Sequence, residues 1–295
     1  MRMDLHEFQV AAQGTDQAPG SDDKAIIVPL LGLAGEAGAL LTEYKKLLRD
    51  GPAYVSFRDQ IGEELGDVLW YVANLATKFN LDLGDIATAN LAKTVGRWGD
   101  PGQVPPTQPL LFDEGREPKE QFPREMVVEI AEGPEDHGIK TAVLTIDGER
   151  VGNQLNDNAV VDDGYRFHDV MHLTHVALLG WSPTVRGLMH RKRTSDPLVD
   201  HAEDGARAII VDEAIVEMVF DYARGRDFLA GVDRVDYELL RTIRRRASGL
   251  EVGVRSAAEW EHAILESYRV WRAIRANNGG RFRLDLVERK VELLA

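Results

Sequence analysis

The sequence predicts a mainly α protein. It reads as an N-terminal antiparallel four-helix bundle, then a small β-hairpin and a second helical domain. Three observations carry this. Apolar residues recur at spacings of three and four through most of the chain. Alternation of period two is confined to REMVVEI and KTAVLTIDGERVG. Six of the twelve prolines fall between Pro101 and Pro123, where no apolar period survives. The domains expected are therefore 1–100, a Pro-rich linker 101–123, and 124–295.

Each element follows from its own pattern. HEFQVAAQ reads as a short opening helix. Residues 26–48 place Leu33, Ala37, Leu40, Leu41, Tyr44 and Leu48 on one face, and Arg49-Asp50-Gly51-Pro52 supplies a cationic last turn and a stop. Residues 59–79 repeat the signature with Ile61, Leu65, Val68, Leu69, Val72, Leu75, Ala76 and Phe79, and a third long helix covers 84–98. Short loops between four such helices imply antiparallel neighbours. After the hairpin, FHDVMHLTHVALLGW, GARAIIVDEAIVEMVFDYARG, VDYELLRTIRRRASG and SAAEWEHAILESYRVWRAIRANNGG read as helices. An apolar helix rich in potential ligands followed by an acidic helix repeats the order of the first half, which suggests a diverged duplicate of the first bundle.

The composition excludes several classes. The 49 acidic residues outnumber 35 Lys plus Arg, for a formal charge of -14, which disfavours a nucleic-acid partner while leaving room for a metal-assisted nucleotide site. With no cysteine, disulfide scaffolds, thiol catalysis and thiolate metal sites are excluded, and a reducing cytoplasm is favoured. No uninterrupted apolar run approaches the roughly 20 residues of a membrane span, and the opening MRMDLHEFQV is too polar for a signal peptide. A cytoplasmic protein with no membrane partner is expected.

The chemistry concentrates on the two long N-terminal helices. Gly32, Gly35 and Gly38 recur every three residues around Glu36, each costing the helix about 1 kcal/mol relative to alanine. Such a stripe lets a helix or ligand approach closely. Gly62 and Gly66 bracket Glu63 and Glu64, with Asp67 next. Glu64 and Asp67 are three residues apart and project together, so carboxylates from two packed helices would repel one another without a hard divalent cation. An arbitrary Glu-x-x-Asp is a solvated stripe; the glycines and the apolar surroundings of Asp67 argue against that here. On the third long helix Asn90, Lys93 and Arg97 share one stripe, a combination suited to polyphosphate.

Taken together, GLAGEAGALLTEYKKLLRDG, EELGDVLWYVANLA and NLAKTVGRW resemble the MazG-like family of all-α nucleoside triphosphate pyrophosphohydrolases, over roughly residues 5–98. The resemblance implies that a Glu-x-x-Glu on one helix and a Glu-x-x-Asp on the next hold Mg2+, with Mn2+ as a substitute. It also implies cleavage of an NTP or dNTP between the α and β phosphates, in a homodimer or homotetramer that completes the site. Carried over residue by residue, Glu36, Glu64 and Asp67 match the metal ligands, while Ala39 stands where the second glutamate is expected. Three carboxylates still suffice for an ion that keeps waters and borrows phosphate oxygens. Glu63 is then an acceptor behind the metal ligands or the water-orienting base. Asn90, Lys93 and Arg97 bind the phosphates, the two cations also stabilising developing charge, and Lys46 assists, beside Lys45, from the end of its helix. Glu43, seven residues after Glu36, shares its face but is set too far along the axis for the same ion. Nucleotide-pool cleanup or a stress or phage response is the role implied.

The C-terminal half offers a second constellation. His168, Asp169, His172 and His175 stand in one helical segment, with the i, i+4 spacing of helical zinc sites. A further ligand is sought on the acidic helix, at Glu213 or Glu217, or before it at Glu203 or Asp204. A second metal site at His168, Asp169, His172 and Glu213 is the result. The block RKR at 191–193 reads as a solvated face. The extension beginning GYRFHDVMHL and running through WSP and RKRTSDP is similar to an accessory domain of some bacterial MazG-like proteins. Two other functions remain open: a metal phosphohydrolase centred on the His/Asp cluster, and a non-catalytic nucleotide sensor marked by Ala39.

Overall fold

The computed structural model describes residues 3–98 and 107–294, without the side chains at 92, 93, 96–98 and 136. The chain divides into two compact units, Met1–Thr94 and Val95–Ala295.

The first unit is helical. Helix α1 (Leu5–Gln13) starts on a reciprocal cap in which the Asp4 carboxylate accepts from the Glu7 N–H and the Glu7 carboxylate accepts from that of Asp4. Helix α2 (Asp23–Asp50) begins with the Asp22 side chain accepting from the Ala25 N–H and ends at Gly51, whose φ of 54° suits glycine. Helices α3 (Phe57–Lys78) and α4 (Leu83–Trp98) follow. Helix α2 lies along α3, and α1 packs on α3. Gln9 ties α1 to the turn before α4, donating to the Leu81 carbonyl at 2.8 Å and accepting from the Leu83 N–H at 2.7 Å.

The core of this unit is small, centred on Ala12, Ala73 and Leu83 with Phe8, Trp70 and Val72 against it. A long apolar face is left in solvent, including Leu31, Leu41 and Leu48 on α2, Leu65 on α3 and Leu91 on α4. By length and composition alone α2, with the turn after it, is apolar enough to cross a membrane, at a mean hydropathy of 1.8. Glu36 interrupts it, so the expectation of no uninterrupted apolar run of about 20 residues stands.

The second unit corrects the hairpin. Strands β1 (Glu125–Asp136), β2 (Ile139–Ile146) and β3 (Glu149–Asn156) are joined by the tight turns His137-Gly138 and Asp147-Gly148, all four residues having positive φ. After the helices come β4 (Gly280–Asp285) and β5 (Lys290–Leu294), in a stretch to which the sequence pattern assigned no element. The five strands form one antiparallel sheet of order β3-β2-β1-β4-β5. Within β4, Phe282 and Leu284 are buried while Arg281 and Arg283 are not, the period-two pattern of a strand with one covered face.

The intervening helices are α5 (Asp169–Leu179), α6 (Pro183–Leu188), α7 (Pro197–Ala202), α8 (Ala206–Arg224), α9 (Tyr237–Ala247) and α10 (Ala257–Ala276). All eleven residues of α5 are buried, against α10 and the sheet. Trp181, Trp260, Trp271 and Phe282 anchor this much larger core. A duplicated bundle gains no support from these elements, since the first unit has no strand among its described residues and no wholly buried helix comparable to α5.

Candidate active site

Two of the glycine-rich turns behave differently from one another. Gly32 is pressed against the ring of Tyr71 on α3, which fixes how closely α2 and α3 approach. Gly35, Gly38, Gly62 and Gly66 have nothing within 4 Å of where a Cβ would stand. Of the two uses expected of these glycines, close approach of a helix or of a ligand, Gly32 serves the first, and the other four leave open space around the acidic residues.

In that space the carboxylates of Glu36, Glu64 and Asp67 come together, with one ligand oxygen from each within 4.8 Å of the others. Glu36 and Glu64 are half-buried and Asp67 is exposed, so the apolar run after Asp67 does not shield it. Among the described residues no Lys or Arg is ion-paired with any of the three. The Glu64 carboxyl is pushed above its usual pKa, first by desolvation, then by the charge of Glu36 and a hydrogen bond with it, and further by Glu43 and Asp67. Shared protons and raised pKa values are how carboxylates relieve crowding when no cation compensates them. The site therefore suits a divalent ion.

Glu43 stands outside this group of ligands, as its spacing implied. It is buried, and its charge reaches Glu64. Lys46 donates to it at 2.5 Å and the Tyr54 hydroxyl donates to its other oxygen, which together hold its carboxyl below the usual range. Lys46 is thus engaged by Glu43, with its pKa raised by that hydrogen bond. Glu63 is exposed beside Glu64, Lys45 and Asn90 are exposed, and Ala39 is half-buried one turn after Glu36. The side chains of Lys93 and Arg97 lie outside the described residues.

A second cluster lies in the other unit. Ligand atoms of His168, Asp169 and His172 all fall within 4.8 Å of one another. Glu213 on α8 reaches His172 Nε2 at 3.4 Å, and Asp212, which the sequence reading passed over, accepts from His172 Nδ1 at 2.9 Å. Glu217 is exposed. His175 faces Trp260 edge-on, and burial pushes its pKa down to about 4. Glu203 and Asp204 are corrected as ligand candidates. Glu203 accepts from the Glu251 N–H, and Asp204 is fully buried with Arg193 at 2.6 Å. Arg193 in turn is no solvated residue: it is 1% exposed and also grips Glu251 through both terminal nitrogens.

Comparison with known proteins accounts for both units. Residues 30–99 match the MazG nucleotide pyrophosphohydrolase domain, and residues 107–295 match the MazG C-terminal domain. The chain belongs to the MazG family. Its N-terminal domain is that of a nucleotide hydrolase, of a kind that generally depends on a divalent metal. The Gene 37 protein of Mycobacterium phage L5 is 39% identical over 103 residues, covering 33% of this MazG chain and 89% of that protein. No solved structure gives a significant match.

Proposed function

We propose that this MazG protein hydrolyses an NTP or dNTP to the monophosphate and pyrophosphate, with Mg2+, or Mn2+ in its place, held by Glu36, Glu64 and Asp67. The observation that carries the reading is the convergence of these three carboxylates, uncompensated by any described cation and crowded enough to raise the pKa of Glu64. Their donor set is all oxygen, which matches a hard ion that completes its shell with water and phosphate oxygens. When bound, the ion neutralises phosphate charge and acidifies a coordinated water.

The chain's own groups do the remainder. Glu63, exposed next to the cluster, orients the attacking water and accepts its proton. Asn90, Lys93 and Arg97, carried by α4, hold the phosphates and stabilise charge on the departing pyrophosphate. Lys46 assists them, and its pairing with Glu43 keeps it charged and fixed near the site. The exposed apolar face of α2, α3 and α4 supports a homodimer or homotetramer in which a second copy covers Leu31, Leu41 and Leu65 and completes the substrate pocket. Cleanup of the cytoplasmic nucleotide pool, or a stress or phage response, is the role we assign to this activity.

The test is pyrophosphate release from a panel of NTPs and dNTPs with Mg2+. Activity in the purified chain that is lost in Asp67→Asn supports the assignment, and equal activity in that variant refutes it. Ala39 favours one further reading, a nucleotide sensor that binds without turnover. Calorimetric nucleotide binding with no pyrophosphate formed would select it.

A further inference from the structure

We propose that the C-terminal domain holds a divalent transition-metal ion, with Zn2+ the best fit, between His168, Asp169 and His172 at the start of α5 and Glu213 on α8. The argument begins with the two imidazoles. His168 Nδ1 donates to the Tyr165 carbonyl at 2.8 Å, and His172 Nδ1 donates to the Asp212 carboxylate at 2.9 Å. Each hydrogen bond occupies Nδ1, so Nε2 is the atom that each ring offers to an ion. A carboxylate or carbonyl behind the distal nitrogen is the usual support of a metal-bound histidine. Asp212 is itself immobilised, because its other oxygen accepts from the Ser182 hydroxyl at 2.6 Å and from the Thr184 N–H at 3.3 Å.

The second, independent observation is that His172 Nε2 has no hydrogen-bond partner although its side chain is fully buried. A buried polar atom without a partner is costly and rare. It points to Glu213 at 3.4 Å, and His168 Nε2 stands 3.6 Å from Asp169. Both separations are long for hydrogen bonds. Each agrees with two ligands of one ion, since donors about 2.1 Å from a tetrahedral centre stand about 3.4 Å apart; Glu213, outside the group of His168, Asp169 and His172 that lies within 4.8 Å, closes in from the rim as the fourth ligand.

The donor set decides the class of ion. Once both rings bind through Nε2, two imidazoles and two carboxylates carry a formal charge of minus two, which a divalent cation cancels. Imidazole nitrogen selects zinc, cobalt, iron or manganese over magnesium or calcium. Glu213 is partly exposed, so the ion enters from solvent on the α8 side. Bound there, it ties the start of α5 to α8, beside the hydrogen bond between His172 and Asp212.

The experiment uses the full chain, untagged, purified without chelator, loaded with Zn2+ or Co2+, desalted, and assayed for metal by mass spectrometry. About one ion per chain is expected to survive desalting. It should also survive in Glu64→Gln, which separates this centre from the N-terminal carboxylates. Retention should fall at least about tenfold in His168→Ala and Glu213→Gln. The Co2+ form should show the visible absorption of a four-coordinate nitrogen and oxygen site, absent from both variants. These two positions are chosen because His172→Ala empties a buried site and can unfold the domain, whereas Glu213 sits at the rim. A wild-type chain that keeps no metal, or variants that keep as much as wild type, would overturn the proposal.

Discussion

Gly32 and Tyr71 meet so closely that a larger residue at 32 must displace the ring or the helix: a Cβ built on Gly32 falls 2.2 Å from Tyr71 Cζ. This contact sets the separation of α2 and α3 one turn before Glu36, and so bears on whether Glu36 reaches Glu64 and Asp67. Gly32→Ala should destabilise the first unit by about 1–3 kcal/mol through overpacking, despite the better helix propensity of alanine. Mg2+ binding should weaken with it, because the carboxylates move apart. Gly35→Ala and Gly38→Ala face open space and should instead stabilise by up to about 1 kcal/mol. Urea denaturation of the three variants checks the contrast, and an equal effect at all three positions would contradict it.

Ala39 offers a gain-of-function test. It stands three residues after Glu36, on the same face of α2, where a fourth carboxylate would point at the same space. Ala39→Glu should tighten Mg2+ binding and lower the Mg2+ concentration needed for half-maximal pyrophosphate release. Its apo form should lose stability, since the added charge joins a group that already raises the pKa of Glu64. Isothermal titration with Mg2+, alongside melting with and without the ion, reads both effects. Unchanged Mg2+ affinity would show that α2 does not aim residue 39 at the cluster.

These two cases mark where sequence reading reaches and where it stops. Helix geometry alone brings Glu64 and Asp67 together, because three residues span most of a turn. That Glu36 joins them depends on the register of α2 against α3, to which the Gly32 and Tyr71 contact contributes, and it was reached from the sequence through the resemblance rather than from helix geometry. Asp212 was legible in principle: with Ala208, Ile215, Val216 and Val219 it shares the buried stripe of α8, whereas Glu213 sits to one side. An acidic residue in phase with an apolar stripe needs a buried partner, and His172 is that partner. Strands β4 and β5 were missed for a different reason. Their alternation is short, and the strand that β4 pairs with, β1, lies on the far side of six helices, so no local pattern announces the sheet.

Arg193 should be among the least replaceable residues of the second unit. Its guanidinium is buried, bonded to Asp204 at 2.6 Å and to both oxygens of Glu251 at 2.7 and 2.8 Å. Its backbone N–H also donates to Asp204. Arg193→Ala strands two carboxylates in the interior and should cost about 3–5 kcal/mol. Arg193→Lys should recover little of this, because an ammonium cannot span both acids with the planar fork of arginine. Urea unfolding of both variants measures the difference, and near-wild-type stability of the lysine variant would refute the geometric argument.

Asp162 supplies a pH-dependent prediction of defined sign. It accepts from Arg166 at 2.7 Å and from Lys140 at 3.1 Å, and these cations hold its pKa down at about 2. In the unfolded chain an aspartate titrates at about 3.9, so the folded state binds its proton less readily. The stabilisation is therefore fully present above about pH 4 and is lost as the pH falls towards 2. Because Asp162 is 45% exposed, solvent screening limits the effect to about 1 kcal/mol or less. Asp162→Asn should accordingly unfold more easily than wild type at neutral pH, and the two should converge in acid. Urea midpoints measured at several pH values follow that convergence; a gap that stays constant into acid would assign the destabilisation to lost packing, with the charge contributing nothing.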